Sequence, residues 1–491
     1  MAVVEEFSPT TPEVIPAGRQ REWGRLAASG AFIAYAGLIA VVIAHHEPWF
    51  DEAQAWLIAR ESSFRELLEV LPYEGQPGLW HLLLMLPSRT LPYETLNWIS
   101  GLLGALGILL FLRKAPFPTP VKLLVPFTYF LFYQYGVVAR NYALMPLVMF
   151  ALAAVYQKRH RRPASFGSLL FVMANTSTHG FVIAACFLGI FAVEALAEAR
   201  RTGWRARRSD VLTVGLVGLA MAALAYAMVP PADRTSGGDV MVVQSLWDFI
   251  RVITGMLKGS LAGELRMLPL VLLPSLWFFY RRKVLTLYVL PTTVLLLFFA
   301  FVYRAPWHEG VLFLVWLFAL WVGYQSEAPE DLIDQRSRKM ALAALVVVCI
   351  VQIGWSAQAS LADFRNPYSG SKELAAYLKH VGAEDKTVYG VHWASIAVNA
   401  YFDENLFANY NPPGKPAYWM WSERNHMVQD FEMIEALQPD YIVFPVKVSG
   451  MEEEAEESLV SYRQKAVFWG QLYWKGTIHE PDVYILYQRK S

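Results

Sequence analysis

The chain has 491 residues, 55% hydrophobic and only 17% charged, with 42 Lys+Arg balanced by 42 Asp+Glu. Soluble domains carry about a quarter charged residues, so the composition excludes an ordinary soluble enzyme, and the zero net charge gives no support to a nucleic-acid binder. Two cysteines, Cys186 and Cys349, lie in apolar runs, which argues against a disulfide framework or a thiolate zinc site.

Residues 1–25 are polar and read as a cytoplasmic N-terminal segment. Eleven apolar stretches then approach the ~20 residues that a helix needs to cross hydrocarbon: 26–44, 95–112, 121–138, 141–156, 164–176, 180–197, 211–229, 265–280, 284–302, 310–324 and 340–357. The first ends in His45-His46-Glu47-Pro48 rather than small residues suited to cleavage, so it reads as an anchor. The expected fold is a polytopic α-helical membrane protein of about 11 spans over residues 26–359, followed by a soluble α/β domain over 360–491. Residues 78–91, ended by Pro87 and Arg89, are too short to span and suit an interfacial or re-entrant element. With that stretch left out, the loops bearing Arg113, Lys114 and Lys122, the 158–162 basic run, and Arg281, Arg282 and Lys283 share one side. The positive-inside rule makes that side cytoplasmic, with the N-terminus in and the C-terminus out, as in a plasma (inner) membrane protein.

Three segments then face outside: 45–94, 230–264 and the chain after Ala357. In the second, Pro230-Pro231 and Gly237-Gly238 precede residues 243–257, whose apolar spacing suits a helix on the membrane surface. The stretch 360–491 carries 18 acidic against 12 basic side chains and alternates short β-type runs (387–391, 441–446, 483–487) with helix-like stretches (371–381, 427–437, 452–465). Tyr418-Trp419-Met420-Trp421, after Pro412-Pro413-Gly414, suits either sugar stacking or core packing. The acidic run 452–457 reads as a solvated helix face.

Chemistry concentrates at the outer helix ends. Asp51 and Glu52 follow the first span, where a carboxylate is placed to take a proton from an incoming hydroxyl; the competing reading is interfacial charge beside the belt aromatics Trp49 and Trp56. Arg140 sits in a very short external turn, where positive-inside statistics disfavour a cation, so either a phosphate or a lipid headgroup is its natural partner. His179, Arg304 and His308 lie in two further external turns, either as structural residues or as part of a basic ring facing the acidic pair. His45, His46, Glu47, Asp51 and Glu52 are also the residue types that bind divalent cations. Nothing in the pattern requires a cofactor, and a divalent metal stays open.

The Asp51-Glu52 pair after the first span, the long first external loop with its Gln76-Pro77-Gly78-Leu79-Trp80 element, and Ala139-Arg140-Asn141-Tyr142 at an outer helix end resemble the GT-C glycosyltransferases. The branch most resembled is that of the protein O-mannosyltransferases and aminoarabinose transferases, and the resemblance covers the membrane region to about Ala357. It implies a polyprenyl-phosphate sugar donor and a lipid, glycan or protein acceptor on the extracytoplasmic face. By motif match, Asp51 takes the place of the catalytic carboxylate, Glu52 of its partner and Arg140 of the arginine near the donor phosphate. Arg304, His179 and His308 are candidates for the same phosphate, and Tyr142, Trp80 and His81 for acceptor contacts. Two departures stand out: the family's His-Pro-Pro-Leu-Tyr reads Gln76-Pro77-Gly78-Leu79-Trp80 here, and the Asp a few residues beyond the family's Arg is missing.

The expected function is inverting transfer of a sugar, with Asp51 as general base. A lipid-linked-oligosaccharide ligase or polymerase working through external Arg and His is the alternative of the same class. A transporter or flippase, or a non-catalytic scaffold, is the alternative outside it. Transporters keep ionisable residues near the bilayer midplane, whereas these apolar stretches hold almost none besides Glu194 near an inner end.

Overall fold

The computed structural model describes residues 17–235, 243–327, 331–410, 416–425, 427, 430–446 and 451–490. The expected Gly237-Gly238 and Pro412-Pro413-Gly414 turns and most of the N-terminal segment fall outside the described residues. Among the described residues six helices are long and apolar enough to cross a membrane: Glu22–Ile43, Thr95–Lys114, Thr178–Thr202, Arg208–Ala227, Pro306–Gln325 and Leu332–Arg365. A seventh crossing results if Leu246–Leu261 and Leu265–Arg281, which meet at 73°, are taken as one bent span. The chain is therefore a helical membrane protein, but the expectation of eleven spans is corrected.

The physical reason is local geometry. Within 121–138 the backbone passes from the short helix Thr119–Leu124 through a 3-10 turn at Val125–Phe127, which holds Pro126, into a π-helix at Phe130–Val137. Leu144–Val155 and Pro163–Ala174 are regular but only 12 residues each. At about 1.5 Å per residue, such a helix rises about 18 Å against the ~30 Å of hydrocarbon. Residues 78–91 form two short helices, Leu79–Leu84 and Pro87–Thr90, matching the non-spanning element expected there.

The spans are layered by burial. The apolar stretch of Pro306–Gln325 is 83% buried and forms the axis of the bundle, whereas those of Glu22–Ile43 and Arg208–Ala227 are 22% buried and lie at its rim. Thr95–Lys114 turns a face of small residues, Ser100, Gly101, Gly104 and Gly107, inward. A Cβ on Gly104 would stand 3.0 Å from Tyr35 Oη and 3.5 Å from Gly136 Cα. That close approach, the device of small residues at membrane helix contacts, seats the π-helix and the turn that follows it.

Outside the spans, Phe50–Glu61 carries Asp51 and Glu52 in its first turn, where carboxylates complement the helix dipole. Phe64–Glu74 begins with a reciprocal cap between Ser63 and Glu66 and ends at Gly75 with φ 66°, a left-handed residue that turns the chain toward Gln76. Residues expected to form a surface helix at 243–257 are helical over Leu246–Leu261, burying Val252, Met256 and Gly259 and exposing Leu246 and Trp247.

The last membrane helix runs unbroken to Arg365. Beyond it, β1 (Val388–Gly390), β2 (Tyr441–Pro445), β3 (Tyr462–Phe468) and β6 (Tyr484–Arg489) form a sheet of order β1-β2-β6-β3, with β1 and β2 parallel and the other pairs antiparallel. β4 (Gln471–Trp474) and β5 (Thr477–Pro481) form a separate hairpin. β2, buried along its whole length, is the sheet's centre, and Ser371–His380, Phe431–Leu437 and Met451–Ser458 supply helices. The expected helix over 452–465 is shorter than its pattern: it stops at Ser458, and residues from Tyr462 pair with β6 instead. Within it Ala455 is buried among exposed glutamates, the solvated acidic face expected.

Candidate active site

Glu52 organises the outer end of the bundle. Its Oε1 accepts from the Asn97 side-chain amide at 2.8 Å and from the Ala139 backbone N–H at 2.7 Å. Its Oε2 accepts from the Trp49 N–H at 3.2 Å and lies 3.4 Å from His46 Nε2. The same Asn97 amide donates to Val137 O at 3.0 Å, so the end of the π-helix is tied to the start of Phe50–Glu61. The next residue on each side of this tie is then brought face to face: Asp51 Oδ2 and Arg140 Nη2 are 2.8 Å apart.

Behind Glu52, His46 Nδ1 lies 3.0 Å from Asp363 Oδ2, and the Tyr133 hydroxyl donates to Asp363 Oδ1 at 2.9 Å. Burial by itself would lower the His46 pKa; the carboxylates of Asp363 and Glu52 outweigh it and raise it to about 10. His46 is therefore an imidazolium, donating to both carboxylates and joining the first loop to the last membrane helix.

Arg140 is held among rings, its guanidinium 4.9 Å from the Trp307 centroid, 5.6 Å from Tyr142 and 5.9 Å from Trp49. Such contacts contribute about 0.5–2 kcal/mol each. Its Nη1 is buried without a hydrogen-bond partner. Beyond Tyr142 lie His179 and His308, with ring centroids 4.2 Å apart, and His179 Nδ1 is 3.5 Å from the Tyr142 hydroxyl. His308 Nδ1 accepts from the Ala305 N–H, while His179 Nε2 is buried without a partner. The structure thus gathers Asp51, Arg140, Tyr142, His179 and His308, with Arg304 half-buried in the turn that leads to His308.

Trp80 and His81 are placed differently. Both are buried in the short Leu79–Leu84 helix, at 1% and 5% exposure, and burial lowers the His81 pKa to about 4. An acceptor at the open surface does not reach either ring without movement of that helix. The element that contains them does border the site: the Asn141 amide donates to Gln76 Oε1, and Thr178 Oγ1 donates to Gly75 O at 2.9 Å.

Other contributors carry no local sequence signal. Gln54 donates to Glu74 Oε1 at 2.9 Å and exchanges hydrogen bonds with both backbone groups of Trp419, at 2.7 and 2.9 Å. With Trp419 also stacked on Tyr410 at 5.3 Å, the aromatic run packs the domain against the loop. Burial, with the Asp51 charge adding and the Gln54 hydrogen bond opposing, pushes the Glu74 carboxyl up to about 7. The β4–β5 hairpin supplies Tyr473, Trp474 and His479 to a pocket shared with Arg140, Trp49 and Trp307. The hairpin is fastened by Lys475, whose Nζ meets Glu309 Oε2 and the Gly259 carbonyl and lies 4.9 Å from the Trp355 ring centroid. The pocket measures ≈ 20 Å³, room for about one water.

Among the described residues no three His, Cys, Asp or Glu side chains are grouped so as to hold a metal ion. No protein-family model matches the chain and no curated protein matches it, so the Asp51–Arg140 cluster itself is what speaks for the chemistry.

Proposed function

We propose that this protein is a membrane glycosyltransferase that moves a sugar from a polyprenyl-phosphate donor to a lipid, glycan or protein acceptor on the extracytoplasmic face. The observation that carries the reading is the Asp51–Arg140 pair: a partly exposed carboxylate beside a guanidinium with one buried nitrogen left without a partner. A phosphate oxygen suits that nitrogen, because guanidinium binds oxyanions through parallel N–H groups. A phosphate on Arg140 competes with Asp51 for the guanidinium and loosens its hold on the carboxylate.

In this reading Asp51 takes the proton of the acceptor hydroxyl, whose oxygen forms a bond to the anomeric carbon with inversion. The bond from that carbon to the phosphate oxygen breaks, and polyprenyl phosphate leaves with its charge stabilised by Arg140. Tyr142, His179 and His308 line the far side of Arg140, with Arg304 nearby. Glu52 is a positioning residue, since its oxygens are engaged by Asn97, Ala139, Trp49 and His46. The cluster faces outside in this reading, because Arg25, Arg113 and Lys122 gather at the opposite end of the helices. The pocket beside Arg140 is too small for a sugar, so admission of the donor requires the β4–β5 hairpin to shift.

The test is release of polyprenyl phosphate in proteoliposomes from a panel of polyprenyl-phosphate sugars, with an envelope extract as acceptor source. Release by the parent chain that Asp51→Asn abolishes is the expected result. Equal release by the variant overturns the role of Asp51 and favours a ligase or polymerase working through Arg140 and the histidines. No release from any donor by well-folded protein overturns the polyprenyl-monophosphate assignment.

A further inference from the structure

At the end of the bundle opposite Asp51, the first helix, Thr95–Lys114 and Thr119–Leu124 part around a pocket of ≈ 1160 Å³. Every charged side chain lining it is cationic: Arg25, Arg113 and Lys122. Among the described residues no carboxylate lines the pocket and no carboxylate forms an ion pair with any of these three. Lys122 Nζ donates to Leu112 O at 3.3 Å, which keeps the ammonium at the pocket's edge rather than in free solution. The rest of the wall is largely apolar, with Phe32, Ile33 and Leu109, and Ile33 is 70% exposed on the outer surface of the first helix. The cavity therefore runs from a cationic end to an apolar side that opens where lipid chains would lie.

Three like charges around one cavity repel one another, and an anion among them relieves the repulsion. A soluble phosphate would satisfy the cations but leave the apolar wall uncovered. A diacyl lipid with an anionic head satisfies both, in keeping with basic pockets between membrane helices on the cytoplasmic side. We propose that this pocket binds an anionic phospholipid, with the phosphate among Arg25, Arg113 and Lys122 and an acyl chain along Phe32, Ile33 and Leu109. The site is separate from the Asp51 cluster and does not depend on the transferase reading.

The experiment is native mass spectrometry of the purified full chain in detergent, titrated separately with dioleoyl phosphatidylglycerol, dioleoyl phosphatidylcholine and inorganic phosphate. At about 1 kcal/mol per basic side chain, the anionic lipid is expected to be retained at least about ten-fold more tightly than the zwitterionic one. Two variants locate the site: Arg25→Ala/Arg113→Ala/Lys122→Ala removes the cations, and Ser29→Trp, at an exposed lining position, fills the pocket with the cations intact. Both are expected to lose the preference for phosphatidylglycerol. Equal retention of the two lipids overturns the headgroup assignment, and retention of phosphate without preference for lipid overturns the lipid source. Undiminished retention in Ser29→Trp overturns the pocket as the location, and that variant decides alone if the triple substitution does not fold.

Discussion

On one side of the Phe50–Glu61 helix start, Glu52 is fully buried and accepts hydrogen bonds drawn from three separate parts of the chain, backed by an imidazolium at His46. On the other side, Asp51 keeps its side chain 27% exposed and faces a guanidinium that still has a donor to offer. Neighbouring carboxylates thus have opposite surroundings. A carboxylate saturated by fixed donors has its energy invested in geometry, whereas a partly exposed one can exchange partners. The first holds the turn of residues 137–140 in place, and the second is the carboxylate to which the proposed function gives the proton transfer.

The largest effect that sharpens this contrast is Asp51→Asn. It is expected to lower turnover by about a thousand-fold or more, as for loss of a general base, with a melting temperature close to the parent's. A melting temperature that falls with activity would erase the distinction between the two carboxylates. Glu52→Ala is expected to show the reverse order of effects: about 3 kcal/mol of stability lost, because buried donors at Asn97 and Ala139 are left unmatched. Denaturant or thermal unfolding in detergent checks it, and unchanged stability would break the comparison.

Arg140→Lys keeps the charge but loses the planar fork, so donor KM is expected to rise about ten-fold with a smaller change in kcat. Lys475→Ala removes one partner of a largely buried pair and is expected to cost about 3 kcal/mol where the hairpin is anchored. Hydrogen exchange confined to residues 471–481 would show the hairpin loosening by itself. The smallest effect is a pH slope. The His46 pKa is about 10 in the folded chain against the ordinary imidazole value of 6.5, so the native state holds the proton more tightly. Its contribution is fully present below about pH 6.5 and is lost as pH rises through about 10. His46→Gln is expected to flatten the alkaline fall in melting temperature, and a retained slope would assign that fall elsewhere.

The candidate site was legible wherever a residue's position along the chain already constrains its environment. Asp51, Arg140, His179 and His308 each sit at a helix end next to apolar runs, and the structure brings all four into one cluster. Asp363, Tyr133 and Asn97 were not legible, because a polar residue near or within a long helix shows nothing of its partner until the helices pack. The same holds for Tyr473, Trp474 and His479, which reach Arg140 through a hairpin more than 300 residues further along the chain.

Composition and hydropathy alone determined that this is a helical membrane protein with an α/β region after its last apolar helix, because the cost of exposing apolar surface acts on every residue regardless of contacts. The tertiary structure alone decided how many apolar stretches become long helices, since a break at Val125–Phe127 or a π-turn at Phe130–Val137 depends on what packs beside it. It also decided which of two adjacent carboxylates became a buried tie and which stayed partly exposed beside Arg140. That choice rests on hydrogen bonds between segments remote in sequence, whose geometry exists only once Asn97, Ala139 and His46 have been brought to the same helix end.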